Sequence, residues 1–210
     1  MIVTVLGATG RTGRLLVAEL LRRGHEVTVV VRDPYGAPEG THLVIGDSRD
    51  RQALVAALAG AEAVVSALGP KGKDHQLHRQ TAAQLVPAMR AAGVRRYIGI
   101  SGAGVNTAGD RKRARDRVIS AGMGVFARSL VADKTAELAV WQDTEADWTL
   151  VRPPRLVDGP ATGRVDHDAS VSTRSTVMRR GDLAVFLTDV LEQGLYCRQA
   201  PFVATADPRR

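Results

Sequence analysis

Short runs of β-branched and aliphatic residues alternate along this chain with longer stretches whose apolar side chains recur at helical spacing, the pattern of βαβ units. The short runs predict strands at Ile2–Leu6, Glu26–Val31, His42–Ile45, Ala63–Ala67, Arg96–Ile100 and Thr149–Val151. The first, second and fifth are almost continuously apolar, which suits parallel strands buried on both faces. Helical spacing predicts Thr12–Arg23, Asp50–Ala59, Gln76–Ala92, Thr135–Thr144 and Gly181–Gln193, with glycines closing all but the fourth and Pro87 bending the third. Each helix leads by a short link into a strand, so the crossovers should be right-handed. The expected fold class is α/β, a doubly wound parallel sheet. Residues 153–210 are too few for a domain of their own. They are expected to form a small C-terminal cap on the substrate side, with the last helix and a Phe202–Ala204 strand returning to the sheet.

Composition narrows the classes of function. The 210 residues are 44% hydrophobic and 24% charged, which excludes disorder as the main state. Cys197 is the only cysteine, so a disulfide framework and a Cys-rich zinc module are both excluded. The first residues do not read as a signal peptide, and no apolar run suits a membrane span. The expectation is therefore a cytoplasmic protein with no membrane partner. The formal charge of +7 invites a nucleic-acid reading. Against it, aromatic residues make up only 4% of the chain, too few for base-stacking platforms. The densest basic run, from Arg111 to Arg117, reads as a solvated face, and nucleic acid is set aside as a partner.

One motif carries chemistry. The first strand runs into Gly7-Ala8-Thr9-Gly10-Arg11-Thr12-Gly13, and a helix follows at once. Such glycines allow a tight turn, a close backbone approach to a pyrophosphate and close helix–sheet packing, while the helix N-terminus offers free N–H groups to phosphate. A second strand with a charged residue at its end follows at the expected distance, so the whole reads as an NAD(P)-binding Rossmann fold in a single domain, 1–210. Thr9 and Thr12 stand in the same turn. An NAD site usually places an acidic residue at the second strand end; here Arg32 precedes Asp33. Arginine there suits a 2′-phosphate, with Arg11 as a second cation, so NADP(H) is the preferred cofactor. In the alternative, Arg32 only caps the strand, Asp33 takes the ribose and NAD(H) binds.

The stretches GATGRTG, VVVRDP, Gly46-Asp47, Asp133-Lys134 and Asp147–Pro154 resemble the atypical short-chain dehydrogenase/reductases, a group that includes NmrA-like proteins and the biliverdin-IXβ reductase/flavin reductases. The resemblance implies Asp47 and Ser48 near the adenine, and Ala67, Leu68 and Gly69 beside the pyrophosphate and ribose. It also implies Ser101 beside the nicotinamide, Pro153 along its face and Arg155 pointing into the substrate pocket, where it could grip a carboxylate or phosphate. The usual catalytic pair of that superfamily is a tyrosine four residues before a lysine. Here Lys134 aligns, but Leu130 stands where the tyrosine should be. The tyrosine-dependent reduction of a ketone is therefore excluded.

Two readings follow. In the first, NADPH reduces a conjugated small-molecule acceptor of flavin, quinone or tetrapyrrole type, which delocalises the added charge. Ser101 then orients the acceptor or a water, and Lys134 stabilises developing negative charge. In the second, the protein is a non-catalytic NADP(H)-binding redox sensor of the NmrA-like type. Either suits a monomer or a homodimer. Lesser candidates are weighed and set aside. His75 and His78 share a helix face but have no third ligand, so they read as solvated surface and no metal is expected. Lys71 and Lys73 read as solvated loop residues, Asp166-His167-Asp168 as a polar loop and Cys197 as a buried or inert thiol.

Overall fold

A computed structural model describes residues 1–69, 74–113 and 125–206. Its centre is a six-stranded parallel sheet of β1 (Ile2–Leu6), β2 (Glu26–Val31), β3 (His42–Ile45), β4 (Ala63–Ser66), β5 (Arg96–Ile100) and β6 (Asp147–Val151), in the spatial order β3-β2-β1-β4-β5-β6. The order reverses between β1 and β4, and that switch point leaves a crevice at the carboxyl ends of the strands.

Period-2 alternation distributes the strand side chains into two cores. Val3, Val5, Val29 and Ile98 face one layer, built from α1 (Arg11–Arg22) and a late helix, α5 (Arg180–Glu192). Leu6, Val64, Tyr97 and Leu150 face the other, with α2 (Arg51–Ala57), α3 (Leu77–Ala92) and α4 (Val125–Gln142). Tyr97 stacks on Trp141 of α4 with ring centroids 3.8 Å apart. Helix α3 runs through Pro87 as one element.

The largest departure from the sequence reading is α4. Its start was expected at Thr135, but the helix begins at Val125 and takes in Asp133, Lys134 and Glu137. All three are buried within the helix. Three strands were not anticipated: β7 (Arg155–Val157), β8 (Val165–Asp168) and β9 (Val177–Arg179). Asp166-His167-Asp168 is therefore strand, not loop. Each is three or four residues long, too short for a periodic signal. The last strand, β10 (Phe202–Thr205), pairs antiparallel with β8 and touches the main sheet through a single bridge, Arg152 to Phe202. Backbone bonds from Leu150 to Gln199 and from Arg152 to Pro201 cover the β6 edge.

Within the basic run, Lys112 donates to the carbonyls of Ala103 and Val105 at 2.6 and 3.3 Å, so it is a loop tie as well as a surface charge. The rest of that run beyond Arg113 lies outside the described residues, as do Lys71 and Lys73.

Candidate functional site

The end of β1 turns sharply at Gly7, whose φ of +78° is left-handed backbone. A Cβ on Gly13 would lie 2.1 Å from the Gly7 carbonyl oxygen, so the first turn of α1 can lie this close only with glycine there. Gly10 precedes the helix with no side-chain cap. The N–H groups of the first turn are therefore left for a ligand, and the helix dipole favours an anion there.

A cavity of about 470 Å³ opens at this point, across the carboxyl ends of β1, β2 and β4. It is lined by Gly7, Thr9, Gly10, Arg11 and Thr12 from the turn, and by Arg32, Asp47, Ser48, Ala67, Leu68 and Gly69 from the strand ends. These eleven residues were all named from the sequence, and the fold brings them to one place. Gly13 lies behind them, packed on the turn.

The electrostatics of the cavity are lopsided. Arg11, Arg32, Arg49 and Arg180 line it, against Asp47 and Asp74. Arg49 bridges both acids at 3.0 Å, and its hydrogen bond lowers the Asp47 carboxyl below its usual range, with smaller help from Arg32. Arg32 is exposed and has no side-chain partner among the described residues. Asp33 is committed elsewhere, accepting from the Tyr35 N–H at 2.8 Å, and does not line the cavity. An unpaired arginine, Arg32, beside bare helix N–H groups makes a seat for phosphates. The residues present thus fit a dinucleotide.

The residues expected near the hydride sit differently. Ile100, at the end of β5, lines the cavity, whereas Ser101, Pro153 and Lys134 are not among its lining residues. The Lys134 ammonium is buried on α4 and donates to the Ile100 carbonyl at 2.5 Å and to Glu137 at 3.0 Å. Glu137 in turn accepts from the Tyr97 hydroxyl at 3.1 Å, and burial together with that carboxylate raises the phenol well above its usual value. The Ser101 hydroxyl is buried without a protein partner among the described residues. Arg155 is exposed at the start of β7, outside the cavity lining, while its neighbour Leu156 lines it.

His78 is not solvated surface. It is 2% exposed at the start of α3, and burial, with Lys134 nearby, lowers its imidazole to about 2. The helical pattern places it on the same face as Leu77 and Thr81, which could have signalled burial. His75 is exposed and meets the Ser129 hydroxyl at 2.8 Å. His167 meets the Tyr196 hydroxyl at 2.6 Å. Cys197 is exposed. Among the described residues no cluster of His, Cys, Asp or Glu could hold a metal, and no helix is long and apolar enough to cross a membrane. Two cationic contributors escaped the sequence reading. Arg49 had no motif to mark it, and Arg180 is distant in the chain from the glycine turn.

Comparison with known proteins agrees with this geometry. A model of NAD(P)H-binding proteins matches residues 7–194. The 3-diazoavenalumate denitrifying reductase of a Streptomyces species is 40% identical over 111 residues, covering 47% of this chain and 36% of that protein. The chain thus spans little more than a third of that relative's length. Among solved structures, a Burkholderia pseudomallei protein superposes with a TM-score of 0.83 at 29% identity, covering 97% of this chain and 99% of that one. The anaerobillin reductase of Escherichia coli O157:H7 shares the fold over the whole of both chains, with a TM-score of 0.78 at 21% identity. The family match takes in the glycine turn, β2 to β6 and α5, and the chain belongs to the NAD(P)H-binding family.

Proposed function

We propose that this protein is an NADPH-dependent reductase that passes hydride to a conjugated small-molecule acceptor of flavin, quinone or tetrapyrrole type. The observation that carries the proposal is the cavity itself: a glycine turn and bare helix N-terminus for a diphosphate, with unpaired Arg32 for a 2′-phosphate. The naming of the Streptomyces relative as a reductase supports turnover.

Bound NADPH would supply the hydride. Arg32 and Arg11 bind its phosphates, Asp47 and Ser48 stand near the adenine, and Ala67–Gly69 pass beside the pyrophosphate and ribose. The unpartnered Ser101 hydroxyl orients an acceptor or a water, because a buried hydroxyl without a partner gains most from a ligand that bonds it. Lys134 acts through the Ile100 carbonyl it holds, fixing the end of β5 and keeping positive charge behind the acceptor. Pro153 closes the far side, and Arg155 stands at the rim for an anionic substituent. In this reading residues 1–210 form one domain in the cytosol, and the cap contributes Leu156 and Arg180 to the cavity. A conjugated acceptor is favoured because Leu130 replaces the tyrosine that would protonate an alkoxide.

The test is NADPH oxidation with FMN, a quinone and a linear tetrapyrrole in turn. Turnover with one of them is the expected result. A second reading, a redox sensor that binds NADP(H) without turnover, draws on the lining: no Tyr, His, Lys or Cys is among its described residues to donate a proton. Tight NADPH binding with no oxidation by any of the three acceptors would select it.

A further inference from the structure

Arg180 is hard to account for as a structural residue. It opens α5, where the positive end of the helix dipole disfavours a cation. It is 8% exposed, yet it lines the cavity. Its guanidinium meets one oxygen of Asp158 at 2.8 Å, and the other oxygen of that carboxylate meets Arg11 at 3.3 Å. Asp158 itself stands 69% exposed. A nearly buried cation and a cation of the glycine turn thus converge on one solvent-facing carboxylate, an arrangement worth little as a surface ion pair.

The segment that carries Asp158 is held firmly on one side only. The Gly181 N–H donates to the Gly159 carbonyl at 3.2 Å, and a Cβ on Gly181 would lie 2.3 Å from the Ala161 nitrogen. The buried Asp182 carboxylate accepts from the N–H groups of Thr162 and Gly163 at 2.6 and 3.2 Å. Asp158 and Arg180 are therefore fixed relative to each other. The Asp158–Arg11 contact, between two exposed side chains, reaches across to the turn.

We infer that Arg180 is a ligand for the diphosphate of the bound nucleotide, and that Asp158 holds Arg180 and Arg11 over the cavity mouth until the diphosphate takes them. The inference rests on the cavity being the nucleotide site. A diphosphate presents more anionic oxygens than one carboxylate and accepts from both arginines in the same way, so the exchange conserves the charge-assisted bonds. Arg180 also ties α5 to cofactor binding, although it lies far from the glycine turn in the chain.

The test is calorimetric titration of the wild type, Arg180→Met, Arg180→Lys and Asp158→Asn with NADPH, ADP-ribose and 2′-AMP. Arg180→Met should weaken NADPH and ADP-ribose alike by about tenfold or more, leave 2′-AMP unchanged, and be partly rescued by Arg180→Lys. Asp158→Asn, on an exposed side chain, should tighten both diphosphates by a few-fold, because the arginines no longer exchange one anion for another. If Arg180→Met binds NADPH and ADP-ribose as the wild type does, the inference is wrong. It is equally wrong if the loss appears only in the KM for a carboxylated tetrapyrrole, since Arg180 then serves the acceptor. Should Arg180→Met unfold, unchanged diphosphate affinity in Asp158→Asn overturns the inference by itself. A wild type that binds none of the three nucleotides would instead overturn the cavity as a nucleotide site.

Discussion

In the proposed site Arg32 selects the cofactor, and apart from it His78 bears on acid stability, each through one side chain. The unpaired guanidinium of Arg32 can fork onto a 2′-phosphate, while the nearest acid, Asp33, is turned into a local hydrogen bond. Arg32→Ala should therefore raise the Kd for NADPH by about thirtyfold, the loss of one good charge-assisted contact, with little change for NADH. Separate titrations check this, and equal wild-type affinity for the two cofactors would remove the role of Arg32. His78 sets an acid limit on stability. Its folded value of about 2 lies far below the unfolded one of 6.5, so between them the unfolded chain binds the extra proton. Stability from this group is complete above pH 6.5 and falls as the pH drops toward 2. Urea unfolding should show that His78→Leu loses about 2 kcal/mol less than the wild type between pH 7 and pH 5. The residues of the glycine turn, proposed here to hold the diphosphate, were legible in the sequence because they are contiguous. His78 was not, since burial depends on α4 packing over it.

At the scale of elements, the first turn of α3 is capped from another helix. Its own N-terminal residue, Gln76, makes no side-chain cap, and the Asp133 carboxylate of α4 accepts from the N–H groups of His78 and Arg79 at 2.9 and 3.2 Å. Asp133→Ala should cost about 2 kcal/mol in urea unfolding, the upper range for a lost cap, and Asp133→Asn less. Where α1 meets its turn, Gly13→Ala should be worse for function than for folding. Parting the turn from the helix should cost about 2 kcal/mol and remove most NADPH binding, as titration of the folded variant would show. Strands β1, β2, β4 and β5 could be read from the chain because burial on both faces writes an apolar run, whereas the largely exposed edge strand β3 was read from its aliphatic residues alone. Helix α4 was misplaced because its buried face carries Asp133, Lys134 and Glu137, whose partners come from α3 and β5. A polar residue satisfied by distant backbone looks, in one dimension, like solvent exposure.

Across the whole molecule, one buried cation joins parts of the chain that local pattern treats separately. Arg152 is fully buried, lies 3.8 Å over the Phe202 ring and donates to both oxygens of Asp110 at 2.6 and 2.8 Å. It also bonds the carbonyls of Ala200 and Val105. Burial pushes the Asp110 carboxyl up, but Arg152 and Thr107 together bring it below its usual value. Asp110→Asn would leave the guanidinium uncompensated and should cost about 3 kcal/mol or more. Unfolding of Asp110→Asn with Arg152→Met should recover much of that loss, and strictly additive losses would refute the coupling. The short strands β7 to β10 owe their existence to such long-range ties, which explains why the sequence shows only β10.

The same distance between partners has a consequence for how the protein is made. The apolar face of α1 is covered by α5, and Arg23 near the end of α1 reaches Asp189 across 166 residues of chain. While the ribosome is still adding the middle of the sequence, the glycine turn and its helix have emerged without their cover. A nascent chain should thus stay protease-sensitive and unable to retain nucleotide until α5 has cleared the exit tunnel, and then acquire both properties together.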